Sequence, residues 1–257
     1  MKDAVIGIIG GTGGMGRWFA DLLQNEGCSV HVWGRKSAMS IKELVDLCNV
    51  IVISVPISAT AEMIKQVGPL VTKDKLLMDL TSLKKEPVEL MLAHSQAEII
   101  GCHPLFGPQI KDVAGLNVVL CPARGGKWFN WLRVVLEKNG LVVTEKTPEE
   151  HDKMMAIVQA LNHLNTITLG LALAGTGIPL DKISKFSTPI FQAKVDIIKK
   201  VFTENPGLYT DIIMQNSATR KMLDLYEKAL ADISALVQSG DGIKLKEMIE
   251  QAAKKLF

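Results

Sequence analysis
Up to about residue 145 the chain alternates short apolar runs with amphipathic stretches. Ala4–Ile9, Ser29–Trp33, Val50–Ser54, Leu76–Asp79, Glu98–Gly101 and Val118–Leu120 are short apolar runs, so they read as strands. The segments between them have helical spacing, as in Trp18–Asn25. Ser40 followed by Glu43 is a capping-box signal for a helix start. Strand and helix in strict alternation predict a doubly wound α/β domain with a parallel sheet.

After Val143 the strand signals stop. Thr147-Pro148-Glu149-Glu150 supplies an N-cap, a first-turn proline and an acidic third position. The pattern predicts one helix from there to about Ala174, ended by Gly175-Thr176-Gly177 and Pro179. That helix is apolar almost all round, which predicts burial, and more helices follow to Phe257. The expected division is a dinucleotide-binding domain over 1–146 and an all-helical substrate and dimerisation domain over 147–257. There is no internal repeat. The most apolar stretch, Met154–Ala174, carries Gln159, Asn162, His163 and Asn165, so no membrane span is expected.

Charge narrows the partners. Lys plus Arg number 29 and Asp plus Glu 27 in 257 residues, a net charge of +2. That balance gives no electrostatic case for nucleic acid or an acidic membrane surface. Cys28, Cys48, Cys102 and Cys121 are scattered, with no C-x-x-C pair, which points to reduced thiols and away from a metal site. An apolar strand and a glycine loop open the chain where a secretory signal would stand, so a cytoplasmic protein is expected.

The first chemical motif is Gly11-Thr12-Gly13-Gly14-Met15-Gly16, a G-x-G-x-x-G run between strand and helix. Its glycines serve a tight turn, close approach to a pyrophosphate and close helix–strand packing. The helix that follows offers free N–H groups to phosphates. This makes the first domain Rossmann-type. The end of the second strand then selects the cofactor. An acidic residue there would hold the ribose 2′-hydroxyl of NAD. Here stand Val32-Trp33-Gly34-Arg35-Lys36-Ser37, with no carboxylate. Arg35, Lys36 and Ser37 suit a 2′-phosphate and predict NADP, with NAD the less favoured choice. Ser54, Val55 and Pro56, at the end of the third strand, complete the expected cofactor set.

Two more segments follow strands at the edge where such sheets bind ligands. One is Asp79-Leu80-Thr81-Ser82-Leu83-Lys84. The other is Gly101-Cys102-His103-Pro104-Leu105-Phe106-Gly107-Pro108. A histidine at a strand end, fixed by a following proline, suits a general base beside a nicotinamide. With Gly11–Gly16, His151-Asp152, the run Gln159-Ala160-Leu161-Asn162-His163 and the run Leu208–Met214, these segments make the chain resemble the prephenate and arogenate dehydrogenases of tyrosine biosynthesis. The resemblance runs from the first strand to about residue 215.

The resemblance implies roles. His103 would take the proton of the substrate's ring hydroxyl, and Ser82 would bond that hydroxyl or the nicotinamide. Lys84 would support the site electrostatically, and His163 would approach substrate from the helical half. Gln159 stands four residues before His163, on the same helix face, and as a polar pair on an apolar helix the two need partners. Where the family often carries carboxylate-gripping arginines, this chain has Gln192 and Lys200. The implied reaction is NADP-dependent oxidative decarboxylation of prephenate to 4-hydroxyphenylpyruvate by a homodimer. Three alternatives stay open. Arogenate could be the substrate, the chain could be another NADP oxidoreductase of the same plan, or it could be a non-catalytic NADP-binding protein. Neither a fused chorismate mutase nor a C-terminal regulatory domain is expected within these residues.

Overall fold
The structure is a computed structural model, and residues 4–257 are described. The chain divides into two compact units, one of residues 1–155 with 206–216, the other of residues 156–205 with 217–257. The first unit is built on a seven-stranded sheet. Its strands are β1 (Val5–Ile9), β2 (Ser29–Trp33), β3 (Val50–Ile53), β4 (Leu76–Asp79), β5 (Glu98–Pro104), β6 (Asn117–Arg124) and β7 (Val142–Glu145). Their order in space is β2-β1-β3-β4-β5-β6-β7. The chain runs outward from β1 in both directions, so the switch point lies between β1 and β3, where open α/β sheets bind ligands.

The expected parallel sheet holds for β1 to β5 and fails beyond them. β5 and β6 pair antiparallel, and β7 lies parallel to β6. No crossover helix joins β5 to β6. The loop over 105–116 suffices, because an antiparallel neighbour needs no crossover. β7 is a strand that the apolar pattern alone did not reveal, since it is short and largely exposed. β5 also runs three residues past Gly101, so His103 lies within the strand rather than just after it.

Helices α1 (Gly14–Asn25), α2 (Ile41–Leu47), α3 (Ile57–Val67), α4 (Lys85–His94) and α5 (Lys127–Lys138) cover the sheet. One core gathers α1 and α5 with Ile6, Ile8, Val52, Met78 and Leu120; the other gathers α2, α3 and α4 with Ile9, Ile51, Ile53, Leu77 and Ile99. The alternate residues of β1 and β3 thus feed opposite faces, as a pleated strand requires. Both hydrogen bonds of the Ser40–Glu43 capping box form at the start of α2.

Helix α6 (Pro148–Met155) starts with a reciprocal cap between Thr147 and Glu150, and it packs on α4 and β6. Helix α10 (Pro206–Gln215) packs on α3, with Leu208 and Ile212 beside Ile57 and Leu83. Through these contacts residues 148–155 and 206–216 belong to the first compact unit.

In the second unit, a π-helical turn over Ala156–Leu161 leads into α7 (Asn162–Gly175), followed by α8 (Leu180–Ser184), α9 (Pro189–Thr203), α11 (Thr219–Ser239) and α12 (Gly242–Leu256). The expected single helix is therefore interrupted by a wide turn. Gly170 lets α7 approach α9 closely, since a Cβ there would stand 2.6 Å from Phe202 Cζ. Burial of this helix is not met within one chain. Ile157, Val158 and Leu171 are exposed, because α9 and α11 cover only part of an all-round apolar surface. The run Pro148–Gly175 is also long and apolar enough to cross a membrane by length and composition, where none had been expected.

Candidate active site
The glycine loop begins one residue earlier than the motif suggests. Gly10 has φ +84°, and a Cβ on it would collide with the Ser54 carbonyl. Only glycine brings the loops after β1 and β3 this close across the switch point. Gly11 is similarly confined, with a Cβ at 2.8 Å from Val32 Cγ1, and Gly16 with one at 2.7 Å from the Gly10 carbonyl oxygen. Gly16 therefore seats α1 against the loop. Gly13 caps α1 with no side chain over the first-turn N–H groups, and Thr12, Gly13 and Gly14 are exposed. The cradle fits a dinucleotide pyrophosphate: glycine where the backbone must stay bare, and open helix N–H groups behind it. Met15 is half-buried.

Past β2, Arg35, Lys36 and Ser37 lie on an exposed turn. The Ser37 hydroxyl accepts from the Gly34 N–H at 2.9 Å, so it shapes the turn. Arg35 and Lys36 remain on its surface with no carboxylate in the segment. Ser54 and Val55 are half-buried and Pro56 is exposed at the start of α3.

At the carboxyl ends of β4 and β5 the buried polar groups form one continuous chain. His103 is 3% exposed, and its Nδ1 stands 2.9 Å from His151 Nε2. His151 Nδ1 stands 2.7 Å from Asp152 Oδ1. The Asp152 carboxylate also accepts the backbone N–H groups of Lys84 at 2.9 Å and Lys85 at 3.0 Å, where α4 begins. Asn216 donates its side-chain amide to the Asp152 carbonyl at 2.8 Å. Beneath this chain Lys84 Nζ pairs with Asp79 and donates to the Cys102 carbonyl at 3.1 Å. The Thr81 backbone N–H donates to Asp79 at 3.0 Å, and the Thr81 hydroxyl, with one hydrogen to give, lies within reach of both the Asp79 carboxylate and the Leu83 carbonyl oxygen.

The electrostatics follow from burial. Desolvation holds the His103 imidazole well below its usual titration range, and the nearby His151 and Lys84 push it the same way. Burial also lowers His151, with Asp152 opposing. Burial alone would raise the Asp152 carboxyl, but hydrogen bonds from His151 and the two backbone N–H groups outweigh it and leave it low. At neutral pH the site thus holds two uncharged imidazoles next to a carboxylate, and a bare imidazole nitrogen can accept a proton.

The sequence-derived residues fall into groups. Ser82 and Lys84 follow β4 and His103 lies near the end of its neighbour β5, with Ser82 half-buried. Lys84 is fully buried and committed to Asp79 and Cys102, so it stiffens the site from below. Gln159, His163, Gln192 and Lys200 belong to the second unit. Gln159 lies in the π-helical turn, a feature that often marks functional sites, and its Oε1 is buried with no hydrogen-bond partner among the described residues. His163 is half-buried, and burial lowers its pKa. Gln192 donates to Asp196 at 3.0 Å on α9, and Lys200 is exposed on that helix. Sequence reasoning left Asp79, His151, Asp152, Asn216 and Gly10 without roles. The one available signal was the acid next to a histidine in the first turns of a helix. Among the described residues no cluster of three metal-ligating side chains occurs.

Comparisons with known proteins place the chain in a family. A family model described as the nucleotide-binding domain of prephenate dehydrogenase matches residues 20–145, and one described as the prephenate dehydrogenase dimerization domain matches 147–251. The glycine loop lies ahead of the first match, so its assignment rests on the geometry above. A probable arogenate/prephenate dehydrogenase of Methanocaldococcus jannaschii is 35% identical, over 98% of this chain and 61% of that protein. The T-protein of Enterobacter agglomerans is 33% identical, over 91% of this chain and 62% of its own length. The chain thus spans about three fifths of the length of these relatives. Among solved structures, prephenate dehydrogenase from A. aeolicus in complex with hydroxyphenyl propionate and NAD+ superposes with a TM-score of 0.75 at 20% identity, covering 98% of this chain and 96% of that one. Synechocystis arogenate dehydrogenase does so at 0.75 and 21%, covering 98% of each. At such identities these two likenesses establish the fold.

Proposed function
The chain belongs to the prephenate dehydrogenase family, and from that premise we propose that it oxidatively decarboxylates prephenate to 4-hydroxyphenylpyruvate with NADP. The observation that carries this reading is the buried His103–His151–Asp152 chain at the same sheet edge as the glycine cradle. Bound NADP supplies the two-electron acceptor. The residues of the chain supply the rest. His103 accepts the ring-hydroxyl proton as the hydroxyl carbon becomes a carbonyl. Ser82 orients that hydroxyl. Loss of the ring carboxylate as carbon dioxide makes the product aromatic, which draws the reaction forward. Orientation, one base and cations for two carboxylates are then sufficient.

Gly11, Gly13 and Gly16 with the first turn of α1 would hold the pyrophosphate, and Ser54 to Pro56 would line its far side. Arg35 and Lys36 favour NADP, since nothing acidic at the end of β2 would hold a ribose 2′-hydroxyl. Two yeast relatives are named as NADP(+) enzymes, and the A. aeolicus complex contains NAD+. In the second unit, Gln159, His163 and Lys200 are assigned to the substrate. Arogenate is the second reading, favoured by the Gln192–Asp196 pair, which offers an amide and a carboxylate to an ammonium group where arginine would repel it. We also assign a homodimer through the helical unit, in line with the family model's description of that region. Steady-state turnover of prephenate and arogenate, each with NAD and with NADP, tests the proposal. Fastest turnover of prephenate with NADP is expected. Preference for arogenate would transfer the assignment to the second reading, and no turnover of either would overturn both.

A further inference from the structure
We propose that His151 and Asp152 are positioning residues that hold His103 in the tautomer whose Nε2 carries the free lone pair. This rests on the reading of His103 as the base and adds the two residues behind it.

The inference follows from counting hydrogens. Asp152 Oδ1 and Oδ2 face the backbone N–H groups of Lys84 and Lys85, which can only donate. A group so placed is held as carboxylate, and a carboxylate only accepts. Its Oδ1 stands 2.7 Å from His151 Nδ1, so that nitrogen carries the hydrogen. Neutral His151 then has a bare Nε2. His103 Nδ1, 2.9 Å away, must be the donor to it. Neutral His103 is thereby left with its lone pair on Nε2, the nitrogen pointed away from His151. In each ring, the tautomer is set by the hydrogen bond that the other nitrogen makes.

The surroundings keep this arrangement. The charged groups facing the two imidazoles are Lys84, at the start of α4, Asp79, on β4, and Asp152, on α6. Lys84 is paired with Asp79, which leaves Asp152 as the carboxylate bonded to the histidine chain. Both imidazoles are buried, which favours their neutral forms. Asn216 and the N-terminus of α4 fix the backbone and carboxylate of Asp152. When His103 Nε2 takes the substrate proton, the O–H bond breaks, an N–H bond forms, and the electron pair stays on the oxygen. The Nδ1 hydrogen can then pass to His151 Nε2, which places the positive charge beside the Asp152 carboxylate.

The test is nitrogen-15 NMR of the full chain labelled in histidine, near neutral pH, with steady-state kinetics beside it. The expected spectrum gives His103 a protonated Nδ1 and a bare Nε2. A protonated Nε2 on His103 in the unaltered protein would overturn the proposal, whatever the activity. His151→Phe removes the acceptor, so the other tautomer should appear. Turnover should then fall about a hundredfold or more, with KM and dinucleotide affinity near their original values. His151→Gln can present a carbonyl oxygen in place of Nε2 and should recover part of the loss. Unchanged His103 shifts and an unchanged pH profile in His151→Phe would also overturn it. If His151→Phe does not fold, the spectrum of the unaltered chain still decides. If no dehydrogenase activity exists, the functional reading fails while the tautomer is read separately.

Discussion

In the proposed reaction His103 has to gain a proton where charge is costly. It is almost fully enclosed, and the imidazolium form is disfavoured by that burial before any neighbour is considered. The imidazole is therefore neutral throughout the neutral range, the form the proposed base requires. The rate should stay level across neutral pH and fall only in acid well below pH 6.5, where His103 becomes protonated. His103→Asn should lower turnover by about 10²–10⁴-fold and lose that acid limb, while dinucleotide affinity measured by fluorescence titration stays near the original. Near-normal turnover in this variant would move the base elsewhere, with His163 the first to test. Lys84 poses the opposite case, a cation with no exposure at all, held by Asp79. Lys84→Ala would leave the Asp79 charge buried without its partner. A loss of about 3–5 kcal/mol in unfolding free energy is expected, read by denaturant titration. The double change Asp79→Asn with Lys84→Met should cost less than the single one, because no lone charge remains.

Among the elements, the turn after β2 and the helix α9 each carry a charge to which the proposed function gives a discriminating role. Arg35 is exposed on the turn, free to fork onto a 2′-phosphate. Arg35→Ala should weaken NADP and leave NAD nearly unchanged, by the ratio of kcat/KM for the two cofactors. Equal losses would remove Arg35 from cofactor choice. Lys200 stands on α9, one turn beyond Asp196. Lys200→Ala should raise KM for substrate far more than it lowers kcat, the sign of lost uniform binding. Lys200→Arg should keep or improve affinity, since guanidinium forks a carboxylate where ammonium meets it as a point charge. An unchanged KM in the alanine variant would pass the role to Arg220.

For the whole molecule, apolar exposure and buried titratable groups set the expectations. Leu171, Ile190, Val237, Ile243 and Ile249 are each more than half exposed in the helical unit. Surfaces of that kind mark association sites. Sedimentation at micromolar concentration should show a dimer, and a monomer would refute the assembly. Acid sensitivity follows from linkage. His103 and His151 titrate below 6.5 when folded and near 6.5 when unfolded. The folded state thus binds fewer protons in that window, so stability is complete above about pH 6.5 and declines as pH falls below it. Melting temperatures across pH 7.5 to 5 should show that decline, and a flat profile would contradict the burial of neutral imidazoles.

The sequence by itself determined the elements whose signals are local. Period-two and period-3.6 patterning placed six of the strands and the helices between the first five of them. Capping chemistry at Ser40 and Thr147 placed two helix starts, and the glycine run marked the loop at the switch point. These succeed because each is decided by residues a few positions apart. Only the tertiary structure decided what depends on distant partners. The direction of β6 follows from a loop, which has no periodicity to read. The exposure of Ile157 and Leu171 depends on how much of an apolar helix α9 and α11 can cover. The commitment of Lys84 to Asp79 and the chain from His103 through His151 to Asp152 join β4, β5, α4 and α6. His103 and His151 are 48 positions apart in sequence. No local signal links them, because a hydrogen bond between two buried rings is set by the packing of the elements that carry them.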